Sequence, residues 1–161
     1  MAEVHKLTVT VNGEQFEHWI PARLLLADYL RDTIGLTGTH LGCEQGVCGS
    51  CTVLLDGEAI RSCLMFAAQV NGSKVTTIEG LGDPSELNVV QRAMHDAHAL
   101  QCGFCTAGIV VGLTGLLMNS SHPSEEEVLD TLGGHLCRCT GYVNIRKAAA
   151  AAIANYVAEE E

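Results

Sequence analysis

The sequence predicts an α+β chain in two parts, a strand-rich domain over residues 1–79 and a four-helix domain over residues 80–161. Three observations predict it. Apolar and polar residues alternate with period two through most of the first 78 residues, with one helical stretch between. Beyond residue 85 every patterned segment repeats its apolar residues at helical spacing. Between the two regimes, "EGLGDPS" at 79–85 is rich in turn formers and suits neither.

In the first part, "KLTVTVNG" puts Leu7, Val9 and Val11 on one side of a strand. Asn12-Gly13 then supplies a primed hairpin turn, and "EQFEHWI" returns as a second strand. After Pro21, "RLLLADYLRD" changes period: Leu26, Tyr29 and Leu30 share a helical face, and Gly35 ends the helix. A glycine-rich loop follows at 42–51. "TVLLDGEAIRSCL" reads as a second hairpin around Asp56-Gly57, and "KVTTI" at 74–78 as a last strand.

In the second part, Asp83-Pro84-Ser85-Glu86 has an N-cap, a proline at the first helical position and a capping-box glutamate. It predicts a helix carrying Leu87, Val90 and Met94 and running to about Leu100. Ile109, Leu113, Leu116 and Leu117 stripe the next, where Gly108, Gly112 and Gly115 would let another helix approach its backbone closely. Ser124 and Glu127 cap the third. The fourth carries Ile145, Ala149, Ala152, Ile153 and Tyr156, and the acidic "EEE" end reads as a solvated tail.

Composition narrows the function. A formal charge of −10, from 19 acidic against 9 basic residues, leaves no basic surface for nucleic acid or anionic membranes. The apolar run "AGIVVGLTGLLM" is shorter than the roughly 20 residues that span a bilayer. The N-terminal residues lack the continuous apolar core of a secretory signal, so the expected location is cytoplasmic. In a reducing compartment, eight cysteines point to metal rather than to disulfides.

Their spacing is specific. Cys43, Cys48 and Cys51 form C-x4-C-x2-C, with Cys63 after the following hairpin, which is plant-type 2Fe-2S ligation. Gly42, Gly46 and Gly49 let the loop wrap its N–H groups around sulfur. The second part offers "QCGFC" at 101–105 and "LCRC" at 136–139, a C-x2-C and a C-x-C frame supplying Cys102, Cys105, Cys137 and Cys139. The helix that starts at Thr106 places its positive end beside Cys105, which favours a thiolate or an anionic cluster there, and Arg138 adds a positive charge. Zinc competes for four cysteines, but it usually takes two similar knuckles. His95 and His98, three apart on one helix, lack partners of matching spacing and read as solvated. No Ser-His-Asp set, phosphate loop or dinucleotide fingerprint is present.

"GCEQGVCGSCTVLLDG", Cys63, "QCGFCTAG" and "HLCRCTGY" together resemble the iron-sulfur subunit of the molybdenum hydroxylase family, which includes xanthine dehydrogenase, aldehyde oxidoreductase and aerobic carbon monoxide dehydrogenase. The resemblance implies a ferredoxin-like β-grasp domain followed by a helical domain, each with one 2Fe-2S cluster. It implies a small subunit beside a medium FAD subunit and a large subunit holding molybdopterin in a dinucleotide form, assembled as a dimer of heterotrimers. Electrons would pass from molybdenum to the cluster on Cys102, Cys105, Cys137 and Cys139, then to the cluster on Cys43, Cys48, Cys51 and Cys63, then to FAD.

The resemblance also places Gln101 and Cys139 against the pterin, and it leaves no catalytic residue in this chain. Where the family commonly has C-T-P-G, this chain has Ala107, which bears on rigidity and not on ligation. "HLCRCTGYVNI" and "SCLMFAAQVNG" lean toward carbon monoxide dehydrogenase-like or N-heterocycle-oxidising members, with aldehydes a further class. Two other readings stand beside an electron-transfer subunit: a free two-cluster ferredoxin, and a zinc-bound scaffold that would be colourless.

Overall fold

Asn12 and Gly13 have φ of 51° and 85°, the paired left-handed geometry of a primed turn. They join strands β1 (Val4–Val11) and β2 (Glu14–Pro21) in an antiparallel hairpin. Asp56 and Gly57, with φ of 50° and 94°, do the same for β3 (Thr52–Leu55) and β4 (Glu58–Arg61). The computed structural model describes residues 4–83 and 85–160.

With β5 (Lys74–Thr76), the strands form one mixed sheet in the order β2-β1-β5-β3-β4, in which β1 and β5 run parallel. The expected strand to residue 78 stops at Thr76. The Asn12 side chain binds Thr77 instead, accepting from its backbone N–H and donating to its hydroxyl, each at 2.9 Å. A short 3-10 turn, Ile78–Gly80, then leads away from the sheet.

The expected helix after Pro21 begins later, as one α-turn α1 (Leu26–Asp28), and continues as π-type turns over Tyr29–Ile34. Gly35, at φ 88°, ends it as the sequence predicts. Leu26, Tyr29 and Leu30 are fully buried on the sheet with Leu7, Val9, Val11, Val53 and Val75, which is the β-grasp arrangement. Leu30→Ala would remove about 2–5 kcal/mol from this core.

Four helices make up the second part: α2 (Val89–Asp96), α3 (Thr106–Asn119), α4 (Glu125–Gly133) and α5 (Val143–Glu160). α4 has the predicted Ser124–Glu127 capping box. The start predicted for α2 is corrected. Its capping box is Asn88 with Gln91, because the Asp83 carboxylate is occupied by a local turn, accepting from the N–H of Ser85 and Glu86 at 2.7 and 3.1 Å. Pro84 and the side chains of the acidic end at 159–161 lie outside the described residues. α2 also ends early, at Asp96, where His98 turns left-handed with φ 48°.

The predicted role of the α3 glycines is corrected too. Two of the three face the first part of the chain and not another helix: a Cβ on Gly108 would stand 2.2 Å from Gly49 O, and one on Gly115 2.8 Å from Leu54 Cδ2, while Gly112 meets Thr131 of α4 and the His135 ring that follows it, as expected. Ile109, Val110, Leu113 and Leu117 on α3 pack with Val90, Met94, Leu132, Ile145 and Ala149 into a second apolar core. Among the described residues, no helix is long and apolar enough to cross a membrane.

Candidate metal centres

The first site is made by a loop and a hairpin. Glu44, Gly46 and Gly49 all take positive φ, 53°, 76° and 77°, which curls the loop so that successive N–H groups face inward. Gln45 N and Cys48 N both donate to Cys43 Sγ at 3.4 Å. These bonds from Cys48 and Gln45 hold the Cys43 thiol down at about 7. Cys51 leads into β3, and Cys63 follows β4. Pairing of Thr52 with Arg61 across the hairpin therefore brings the two cysteines together. Ser62 closes the corner, its hydroxyl donating to Cys51 O at 2.7 Å. Both thiols are buried beside Ala27 and Leu41. Burial, and then the bond to Cys51, pushes the Cys63 thiol up to about 11.

The second site lies where helix ends meet. Cys105 is the N-cap residue of α3, and Gly103, with φ 81°, turns the chain between Cys102 and Cys105. Cys102 and Cys139 sulfurs lie 3.5 Å apart. The N–H of Phe104 and then Cys139 hold the Cys102 thiol below its usual range, while Cys102 holds Cys139 above. Deeper in, Cys105 interacts with Cys137. Of the two expectations at Cys105, a thiolate or an anionic cluster, the structure does not favour a bare thiolate: burial, and then the interaction with Cys137, pushes this thiol up to about 12. For Cys137, burial opposes ionisation but is outweighed by hydrogen bonds from Thr140 and from Cys139 N–H, so its thiol is lowered.

Tyr142 shapes the "LCRCTGY" stretch. Its hydroxyl accepts from Cys137 N at 2.8 Å and donates to His135 O at 3.2 Å, folding the loop back on itself. Thr140 Oγ1 lies 3.1 Å from Cys137 Sγ. Gln101, Cys102, Arg138 and Cys139 are all exposed at this corner, and Ala107 is buried in the first turn of α3. His95 and His98 are exposed as well, with His95 against Asp96.

The two sites share a seam. Leu136 N, one residue before Cys137, donates to Cys48 O at 2.9 Å. His40 stacks on Phe104 with ring centroids 4.7 Å apart, and its Nδ1 donates to Phe104 O at 2.8 Å. Beneath them His135 is buried, and burial with the charge of Arg61 lowers it to about 4, so it is neutral at pH 7. Its Nδ1 carries the proton, because Nδ1 faces the carbonyl of Thr131 at 2.8 Å.

The thiols thus gather in two groups of four, Cys43, Cys48, Cys51 and Cys63 at the first site and Cys102, Cys105, Cys137 and Cys139 at the second. Among the described residues, no three Cys, His, Asp or Glu side chains close around one ion. Four thiols at each site suit a two-iron centre, in which each iron takes two thiolates, and the C-x4-C-x2-C loop with a distant fourth cysteine is unlike the paired knuckles of zinc. The inward N–H groups suit the anionic sulfides of such a centre.

Comparison with known proteins bears on the same residues. Residues 9–78 match the 2Fe-2S iron-sulfur cluster binding domain family, and residues 77–150 match the [2Fe-2S] binding domain family. The caffeine dehydrogenase gamma subunit of Pseudomonas sp. (strain CBB1) is 49% identical over 144 residues, covering 88% of this chain and 86% of that one. This chain belongs to the iron-sulfur small-subunit family of the molybdenum hydroxylases. The nicotine 6-hydroxylase small subunit of Paenarthrobacter nicotinovorans is 50% identical over 143 residues, covering 89% of this chain and 86% of that one. Quinoline 2-oxidoreductase from Pseudomonas putida 86 superposes with a TM-score of 0.89 and 45% identity, covering 98% of both chains. As a member of this oxidoreductase family, the chain carries two 2Fe-2S-binding domains in the order the cysteine frames predict.

Sequence reasoning missed Thr52, Arg61, His135, Thr140 and Tyr142 as parts of the two sites. The available signal was position: each lies within three residues of a cysteine.

Proposed function

We propose that Cys43, Cys48, Cys51 and Cys63 hold one 2Fe-2S cluster and Cys102, Cys105, Cys137 and Cys139 a second, with the domain break at 79/80. The observation that carries this is the gathering of four thiols at each of two sites joined by the 2.9 Å bond from Leu136 N to Cys48 O. Bound there, the clusters supply the one-electron steps that link a molybdopterin centre to FAD, both held by partner subunits.

This chain's residues set direction and docking. Gln101 and Cys139 stand at the exposed corner of the second site, where an amide can offer donors and acceptors to a pterin edge. Leu100, Phe104, Leu136 and Val143 form an exposed apolar rim around it, the kind of surface a large molybdopterin-dinucleotide subunit would cover. Val47, Leu64 and Phe66 do the same around the first site, which suits a medium FAD subunit. The chain holds no catalytic group and works within a cytoplasmic heterotrimer, paired as a dimer of heterotrimers. The relatives named for caffeine, nicotine and quinoline favour an aromatic N-heterocycle as substrate over CO or an aldehyde.

Iron and acid-labile sulfide analysis of the natively purified protein is expected to give about four of each per chain, with two EPR signals on reduction. Cys43→Ser and Cys139→Ser should each remove a different signal. Loss of the same signal from both variants overturns the two-site assignment. Gel filtration near the mass of the chain alone would favour a free carrier instead.

A further inference from the structure

Where β3 and β4 meet α3 and α4, a polar group is buried that supplies no ligand to either cysteine site. Thr52 and His135 are each 2% exposed. Arg61 reaches both parts of the chain: Nη1 donates to Thr52 Oγ1 at 2.6 Å, and Nη2 donates to Gly134 O at 2.7 Å. Thr52 Oγ1 donates its proton to Gly49 O at 2.6 Å and lies 3.1 Å from His135 Nε2, so one hydroxyl ties Arg61, the first cysteine loop and His135 together.

Glycines make the room. A Cβ on Gly134 would stand 2.7 Å from Arg61 Nη2, one on Gly49 2.6 Å from His135 Cδ2, and one on Gly112 2.8 Å from His135 Cε1. Each member sits next to a cysteine along the chain. Thr52 follows Cys51, Arg61 stands two residues before Cys63, and His135 two before Cys137.

Arg61 also brings charge to this seam. Among the described residues no carboxylate lies within ion-pair distance of it, although Glu58 and Asp130 line the same cleft. The end of α4 that it caps has no basic residue of its own and carries only about half a negative charge, so the guanidinium remains net positive.

We propose that Arg61 is a positioning residue for both metal centres. Its two-pronged bond sets the spacing between the Cys51–Cys63 hairpin and the Cys137 loop, and its charge raises the reduction potential of the first cluster. This rests on the two-cluster assignment above. A one-electron reduction adds a negative charge to a cluster that is already anionic, so a cation nearby favours the reduced form. Lysine would supply the charge without the planar fork.

The test compares natively purified wild type, Arg61→Lys and Arg61→Gln by iron content, EPR-monitored redox titration and the spin–spin splitting between the two reduced clusters. With iron content retained, Arg61→Gln is expected to lower the first cluster's potential and reduce the splitting. Arg61→Lys should reduce the splitting and leave the potential near wild type. Unmoved potential and splitting in Arg61→Gln overturn the proposal. Loss of the first site's iron from both variants also overturns it, making Arg61 a folding residue only. Wild-type protein without iron would overturn the cluster assignment itself, a result distinct from either.

Discussion

The two cysteine sites are built from different secondary structure, and the difference shows in what covers them. At the first, paired strands bury Cys51 and Cys63 to 2% and 3% exposure, and a tight loop half-covers Cys43 and Cys48. At the second, helix ends bury Cys105 but leave Cys102 and Cys139 open at the surface. A hairpin shields sulfur on both sides because its strands hydrogen-bond to each other. Two helix-end loops meet only at a corner, and the corner faces outward. The second site is therefore shaped for direct contact with another molecule's group, and the first for contact through its own loop.

The largest effect should come from breaking the seam between them. Gly108→Ala would put a methyl group 2.2 Å from Gly49 O, and neither backbone can yield without moving a cysteine loop. The expected loss is about 3 kcal/mol of stability, at the upper end for overpacking. Denaturant unfolding with circular dichroism would measure it, and a change within 0.5 kcal/mol would show that the halves slide freely (about the surface-substitution range).

Shielding is the next contrast. In iron-free protein, iodoacetamide should label Cys102 about tenfold faster than Cys63, since thiolate character and access both favour it. Peptide mapping by mass spectrometry reads the order; equal rates would mean the hairpin does not enclose its cysteines. The smallest effect separates local from shared stability. Ser124→Ala should cost α4 about 1 kcal/mol through loss of its cap, seen as a modest fall in Tm. Both EPR signals should survive it, because Ser124 touches neither site.

Much of the first part was legible because its signals are local. Asn12-Gly13 and Asp56-Gly57 specify their own turns, and C-x4-C-x2-C lies within ten residues of chain. The second part was harder where a local signal has two uses. Asp83 reads as an N-cap from the sequence, and only its contact with Ser85 and Glu86 leaves the cap to Asn88. Glycines at 108, 112 and 115 announce a close approach without naming what approaches. That is a matter of tertiary packing, as is the burial that raises Cys105 against the dipole of its own helix. Arg61 has only its nearness to Cys63 to mark it, since its partners lie 9 and 73 residues away.

The bond from Leu136 N to Cys48 O has a practical consequence for anyone recombining such chains. Each cysteine loop is the lid of the other, so a half transplanted alone would present bare backbone and unmatched glycines to water. The portable module is the whole chain, because the turn-rich stretch at 79–85 marks a break along the sequence that Cys48 and Leu136 close again in space.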